Sequence, residues 1–536
     1  MIYIKGRQIL ILCLAEPLRQ GKSHPWRIVF FVDDRVAPEK ITVFDTTLRD
    51  GEQTPGVSFT LEQKISIAHQ LSDIGVHVIE AGFPASSDSE FETVKKIAGE
   101  QLEANICGLS RSLKADVDRC LECDVDMVHV FIPTSEVQRI HTIKKSHEEV
   151  VEITGSIVGY AREHCDQVMF SAMDATRTEL PSLIEVFRAA VAAGATIINV
   201  PDTVGVMSPS RMRDLIDVIR TSVDCPIDIH CHNDFGLAVA NTITAVERGA
   251  NQVQVTVNGL GERAGNADLA QTVMSLESIY NIRTGIATPR LVETSRLVSH
   301  YAGILVPPTQ PVVGANAFSH ESGIHSHGVI ANASTFEPGI MTPEMVGHRR
   351  RLKLGKHVGR HAVKQMLADI HIQPDEQELD EIVSKIKAIS SKGKHLTDND
   401  LYEIADSTMG TAGEEKAIIL ENIAIITGNH VIPTASVRAT VHGKECIFSS
   451  TGNGPVDAAM KALLGIVPIQ IMLKDFHVAA ISGGSDAIGH VTIAIEDAHG
   501  RVFDASSSSD DIVLASVEAM INALNLVYRA NHREKE

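Results

Sequence analysis

Two histidines separated by one residue, His230-Cys231-His232, stand at the end of the apolar run Ile227-Asp-Ile and are followed by Asn233-Asp234. In a strand, alternate side chains share a face, so His230 and His232 project the same way. Two imidazoles joined by a carboxylate from elsewhere make a common site for a divalent cation. The carboxylate that suits them is Asp50, in Ile41-Thr-Val-Phe-Asp45-Thr-Thr-Leu-Arg49-Asp50-Gly51-Glu52-Gln53. There a β-branched apolar run ends in an acid, then a base beside a second acid before a glycine. Arg49 supplies a cation next to Asp50. Asn266, closing the polar stretch Asn258-Gly-Leu-Gly-Glu-Arg-Ala-Gly-Asn266, can offer an amide oxygen as a fourth ligand.

These residues need a scaffold that brings distant strand ends to one rim. From Ile41 short β-rich runs alternate with amphipathic stretches. The runs are Ile41–Phe44, Val76–Ala81, Asn105–Leu109, Met127–Ile132, Gln167–Ser171, Ile197–Val200, Pro226–His230 and Gln252–Val257. Between them lie helical patterns such as Leu61–Ile74 and Leu183–Ala193. Eight such units predict an α/β fold, a closed (β/α)8 TIM barrel over 39–305, with the last strand beside the first. Asp45, Glu80, Ser110, Thr134, Ser171, Asp202, His230 and Asn258 follow the runs and would ring the mouth, where parallel barrels carry their active sites.

Residues 1–38 read as an N-terminal extension of low order. Residues 306–415 read as a linker and helical region, opening on Val306-Pro307-Pro308 and holding two helices near 361–370 and 375–391. Residues 416–536 read as a C-terminal α+β domain of two ββα units, the first around Ala435–Val441 and Glu445–Ser449, the second around His490–Glu496 and Arg501–Ala505.

The net charge of −20 disfavours nucleic acid and anionic membranes as partners, since no basic surplus is available for phosphates. No apolar stretch is expected to span a bilayer. Eight cysteines without disulfide-framework spacing suit a reducing, cytoplasmic setting, and the lone Cys120-x-x-Cys123 pair has no second pair to complete a zinc site.

Phe44–Gln53, His230–Asp234 and Asn258–Ala267, in this order, resemble the 2-isopropylmalate, homocitrate and citramalate synthase family. Glu80-Ala-Gly-Phe-Pro84 and Asn199-Val-Pro-Asp-Thr-Val-Gly205 look most like its 2-isopropylmalate branch. The resemblance covers about residues 41–536. It implies a metal-dependent acyltransferase that condenses acetyl-CoA with a 2-oxo acid and then hydrolyses the thioester. The ion would be Mn²⁺, Mg²⁺ or Zn²⁺, held by Asp50, His230, His232 and Asn266. Arg49 would stabilise the developing alkoxide, Thr203 would bind the substrate carboxylate, and Glu80, His129 and Ser171 would line the pocket. His325 would assist proton transfer from the partner subunit of a homodimer, and leucine would be the feedback inhibitor, bound by the C-terminal domain.

The chain departs from the family pattern at Met173, where a glutamate is expected, at Phe336 for tyrosine, at Gln138 for histidine and at Val358 for serine. Two other readings stay open: a sister synthase using pyruvate or 2-oxoglutarate, and a catalytically weakened paralogue that regulates a partner synthase.

Overall fold

Period-two apolar runs bounded by helix caps build the first unit. The computed structural model describes residues 2–4, 7–9, 37–320, 335, 339–352, 354–369, 372–391, 396–409, 417–467, 469–480 and 489–533. Most of the 1–38 extension, and with it His325 and Phe336, lies outside the described residues. Strands β1 (Thr42–Asp45), β2 (Val78–Gly82), β3 (Asn105–Arg111), β4 (Met127–Pro133), β5 (Gln167–Met173), β6 (Ile197–Asp202), β7 (Ile227–Cys231) and β8 (Gln252–Val255) form a closed, all-parallel barrel in which β8 pairs with both β7 and β1.

Helices fill the crossovers. Leu61–Asp73 starts at a capping box in which Thr60 Oγ1 accepts from the Gln63 amide and Gln63 Oε1 accepts from the Thr60 amide. Ser146 and Glu149 do the same for His147–His164. Such pairs satisfy the orphan donors of a helix start.

The barrel interior is layered. Phe44, Val78, Cys107, Met127, Met169 and Ile197, one from each of β1 to β6, form an apolar cluster separate from the main core between strands and helices. Two residues further along their strands the same face presents Thr46, Glu80, Leu109, His129, Ser171 and Asn199. Alternation therefore stacks a largely polar layer on an apolar one, toward the C-terminal mouth.

The barrel unit runs on past 305. It extends through Phe318 and takes in 340–349. Val312, Val313 and Phe318 are buried in the same core, so the proline-rich stretch packs rather than bridges.

The second unit spans 319–339 and 350–536. Its helices are Arg360–Asp369, Glu376–Ser390 and Asp398–Met409, the third not anticipated from sequence. Two three-stranded antiparallel sheets follow: β9 (Ile418–Gly428), β10 (Val431–Val441) and β11 (Lys444–Thr451), then β12 (Ile471–Ala480), β13 (Gly489–Asp497) and β14 (Val502–Ser509). Each is closed by a helix, Pro455–Ile466 and Ile512–Arg533.

The repeat is thus βββα, not the ββα read from the sequence. The overlooked first strand of each unit carries a bulge, at Leu420/Asn422 and at Leu473/Asp475, which breaks the alternation that marks a strand. The closing helix is the longest of the unit. Its Ile512–Asn531 window is long and apolar enough by composition to cross a membrane, yet 61% of that window is buried against the sheets' core.

Candidate active site

After β1 the chain turns sharply. Asp45, fully buried on the face of β1 opposite to Phe44 and Thr46, accepts from the Thr47 amide at 2.8 Å, while the Gly51 amide donates to Thr46 O at 3.0 Å and the Asp50 amide to Thr46 Oγ1 at 3.2 Å. The turn leaves Arg49 and Asp50 adjacent and inward. Arg49 bridges two acids: Nη1 donates to Asp50 Oδ2 and Nε to Glu80 Oε2, both at 2.7 Å. Burial favours the uncharged Asp50, but Arg49 and then the two histidines outweigh it and hold the carboxyl well below the usual carboxylate range. Burial likewise opposes the Glu80 charge, and Arg49 and His129 overcome it, bringing its pKa to about 2.

His230 lies on β7 and His232 one step beyond it, where the chain bridges to Asn266 in the loop after β8. Their Nε2 atoms are 3.1 Å apart, and His230 Nε2 is 3.6 Å from Asp50 Oδ2. Burial, then the neighbouring His232, push the His230 pKa down to about 3, and burial also lowers that of His232. Both rings are therefore neutral near pH 7.

The loop from Asn258 reaches this point because Gly261 has no side chain. A Cβ there, at φ +152°, would sit 2.2 Å from Asn266 Nδ2 and 3.3 Å from Asp50 Oδ1. Asn266 Nδ2 donates to Asp50 Oδ1 and Leu260 O, each at 3.1 Å. Asn266 Oδ1 and His232 Nδ1 are buried without a hydrogen-bond partner.

Ligand atoms of Asp50, His230 and His232 all lie within 4.8 Å of one another. Neutral imidazole nitrogens turned toward each other, with a carboxylate and a spare amide oxygen alongside, are a donor set that suits a divalent cation. The residues present fit such an ion.

From Glu80 a chain of side-chain bonds runs round the barrel wall. Glu80 Oε1 meets His129 Nδ1 at 2.6 Å, His129 Nε2 meets Ser171 Oγ at 2.6 Å, and Ser171 Oγ donates to Asn199 Oδ1 at 2.7 Å. Asn199 Nδ2 donates to Asp228 Oδ2 at 2.5 Å, Gln254 Nε2 donates to the same oxygen at 2.6 Å, and Gln254 Oε1 meets His230 Nδ1 at 2.8 Å. Ladder register explains the contacts, since Ser171, Asn199 and Asp228 are lateral partners on β5, β6 and β7.

The sequence-derived set thus largely converges. Arg49, Asp50, Glu80, His129, Ser171, His230, His232 and Asn266 belong to one connected network. Thr203 is held apart on the rim, where its Oγ1 accepts from the Asp174 amide at 2.9 Å and its carbonyl accepts from Arg263 Nη2 at 2.9 Å. His325 lies outside the described residues. Cys120 and Cys123 donate to different carbonyls, Leu109 O and Phe91 O, and form no common site.

Sequence reasoning passed over Asn199, Asp228 and Gln254. Strand alternation reaches them: each is a polar residue at an inward strand position.

Three families match successive parts of the chain. Residues 40–298 match the HMGL-like family, 312–394 a homocitrate synthase post-HMGL domain-like family, and 395–528 the LeuA allosteric (dimerisation) domain. A protein of Methanosarcina acetivorans named "Probable 2-isopropylmalate synthase" is 58% identical over 92% of this chain and 96% of its own length. The chain belongs to the 2-isopropylmalate synthase family. Another member, the 2-isopropylmalate synthase of Methanocaldococcus jannaschii, is 51% identical over 91% of this chain and 95% of its own. A solved structure of Bacillus subtilis HMG-CoA lyase aligns at 23% identity and a TM-score of 0.46, covering 51% of this chain and 96% of that one. Relatives whose names carry citramalate synthase stand further off, at 42% to 45% identity.

Within the family's frame, Met173 ends β5 at the barrel mouth, its carbonyl accepting from the Thr134 amide at 3.0 Å and from Thr134 Oγ1 at 3.1 Å.

Proposed function

We propose that this chain is a 2-isopropylmalate synthase. It would condense acetyl-CoA with 3-methyl-2-oxobutanoate and hydrolyse the thioester to 2-isopropylmalate and CoA, the first committed step of leucine biosynthesis. The observation that carries the reading is the cluster of Asp50, His230 and His232 beside the Arg49 guanidinium at the barrel mouth, in a chain 51% to 58% identical to relatives named for that activity.

A divalent ion held by Asp50, His230, His232 and Asn266 would serve as a Lewis acid toward a 2-oxo acid chelated through its carboxylate and keto oxygens. Arg49 is already fixed by Glu80 and Asp50 through Nε and Nη1. Its remaining nitrogen is available to a developing alkoxide without reorganisation. Thr203 Oγ1 accepts from a backbone amide, which leaves its hydroxyl proton to donate to the substrate carboxylate. His129 and Ser171, buried and bonded to each other, shape the pocket wall with Glu80.

The weakly acidic thioester methyl requires a positioned base. Met173 cannot take a proton, and His325 of a partner subunit is the candidate for that task.

The match of 395–528 to an allosteric (dimerisation) domain supports a homodimer with leucine as the feedback effector. Exposed apolar side chains on its sheets, Ile432 at 70%, Ile447 at 57% and Met472 at 59%, suit a face that meets another chain. All seven cysteines among the described residues are free, as a reducing cytoplasm would keep them.

The test is release of CoA thiol from acetyl-CoA with a panel of 2-oxo acids and added Mg²⁺, Mn²⁺ or Zn²⁺. Turnover should be fastest with 3-methyl-2-oxobutanoate. Preference for pyruvate or 2-oxoglutarate would move the chain to a sister synthase. No turnover with any oxo acid, despite intact metal binding, would move it to a regulatory paralogue.

A further inference from the structure

We propose that Asp228 and Gln254 are positioning residues that fix the bare nitrogen of His230, a relay from a buried acid to the metal ligand; this rests on the metal reading above. Asp228 is fully buried in the barrel on β7, and Gln254 is 2% exposed on β8. Neither can reach the ligand cluster's open side. Their bonds are nonetheless directional.

Two amides, Asn199 Nδ2 and Gln254 Nε2, converge on the single oxygen Asp228 Oδ2, at 2.5 and 2.6 Å. Only an NH2 group can donate to that oxygen, so the Gln254 amide is locked with its NH2 toward Asp228. Its carbonyl is thereby turned to His230 Nδ1 at 2.8 Å. A carbonyl oxygen accepts and does not donate, so Nδ1 of His230 carries the ring proton and Nε2 is bare.

Nε2 is the atom that faces His232 Nε2 and Asp50 Oδ2. Without the acid, the Gln254 amide can rotate by half a turn and present its NH2 to His230. The proton then moves to Nε2, in the position where the ion needs a lone pair. An outer partner that sets a ligating histidine's tautomer contributes about 10–100-fold in metal affinity. The locking oxygen is one of two on Asp228, so the lock does not depend on the protonation of the other.

The test measures Mn²⁺ affinity by competition with a chromophoric chelator in full-length protein, with folding checked by circular dichroism. Gln254→Leu removes the acceptor and Asp228→Leu removes the lock; each should weaken Mn²⁺ binding by about 10–100-fold. Asp228→Asn retains an oxygen acceptor and should stay near the wild-type value. The double variant should lose no more than Gln254→Leu alone, because both act through one relay.

Folded Gln254→Leu and Asp228→Leu variants with wild-type affinity would overturn the relay while leaving the metal site standing. A wild type that takes up no Mn²⁺ would overturn both. Should the leucine variants fail to fold, ¹⁵N-histidine spectra of the metal-free wild type decide. A His230 protonated on Nδ1 supports the relay, and one protonated on Nε2 overturns it.

Discussion

Replacing Glu80 by glutamine probes the network at its most heavily charged point. Glu80 is fully buried and accepts from Thr46 Oγ1, from Arg49 Nε and from His129 Nδ1. Glutamine has the same shape and keeps one acceptor oxygen, which can stay with Thr46 and Arg49. Its NH2 then faces His129, which loses its acceptor, and Arg49 loses one of its two anions. Folding brings the Glu80 pKa from 4.5 to about 2, a difference equivalent to roughly 3 kcal/mol at neutral pH. Breaking one partner of a buried ion pair independently suggests about 3–5 kcal/mol. The two agree on a loss near 3 kcal/mol.

The sign with pH follows. Because the folded pKa is depressed, the contribution is complete above 4.5 and fades as pH falls toward 2. Wild type and Glu80→Gln should therefore differ by about 3 kcal/mol in urea titrations at pH 7, and progressively less below pH 4.5. A folded variant within about 1 kcal/mol of wild type at pH 7 would refute the reasoning, as would a deficit that does not shrink in acid.

His232→Ala should abolish uptake of one divalent ion, by metal analysis after dialysis, while circular dichroism stays native; undiminished metal content would sink the assignment. Met173→Glu should raise thiol release by at least about tenfold, since a general acid or base contributes roughly 10²–10⁴-fold; a wild type already turning over at about 1–10 s⁻¹ with no gain in the variant would show that another group has taken over the proton. Burial pushes the Asp45 pKa from 3.8 up to about 7, so its ionisation subtracts stability as pH rises through that window, by on the order of 4 kcal/mol. Asp45→Asn keeps the acceptor for the Thr47 amide and should flatten that decline in melting temperature between pH 4 and 7. Leucine at millimolar concentration should slow the full-length enzyme and leave a chain ending near 415 unaffected; unchanged kinetics and melting temperature of the full-length protein would remove leucine as the ligand.

The barrel was legible because each strand is a run whose inward face alternates on a fixed period, and the runs begin or end within about two residues of the observed strands. Glu80 and Ser171 stood out as polar residues at the ends of apolar runs, while His129 entered through the family resemblance. Asn199, Asp228 and Gln254 obey the same alternation but carry neutral or commonplace side chains, and only their lateral register reveals that they touch. In the second unit β9 and β12 were missed because a bulge shifts the phase midway along each. The helix Asp398–Met409 had a signal that went unused: Thr397 and Asp400 are spaced to cap it, and the Thr397 amide donates to Asp400 Oδ2 at 2.8 Å. Thr203 entered through the family resemblance, and no spacing rule says that its hydroxyl is engaged by the amide after β5.

The side-chain network is a hoop with one opening. It starts at Asp50, passes through Arg49, Glu80, His129, Ser171, Asn199, Asp228 and Gln254, and ends at His230, so that six of the eight strands and the loop after β1 are laced by side chains as well as by their backbones. The two free ends, Asp50 Oδ2 and His230 Nε2, stand 3.6 Å apart and are both acceptors, so no proton of their own can join them when the ring proton sits on Nδ1. A cation there is a clasp. Fastening it closes the hoop, and the free energy of binding becomes resistance of the whole barrel to opening. Stripping the ion would then loosen strands far from the substrate, and the catalytic rim and the wall behind it would soften together.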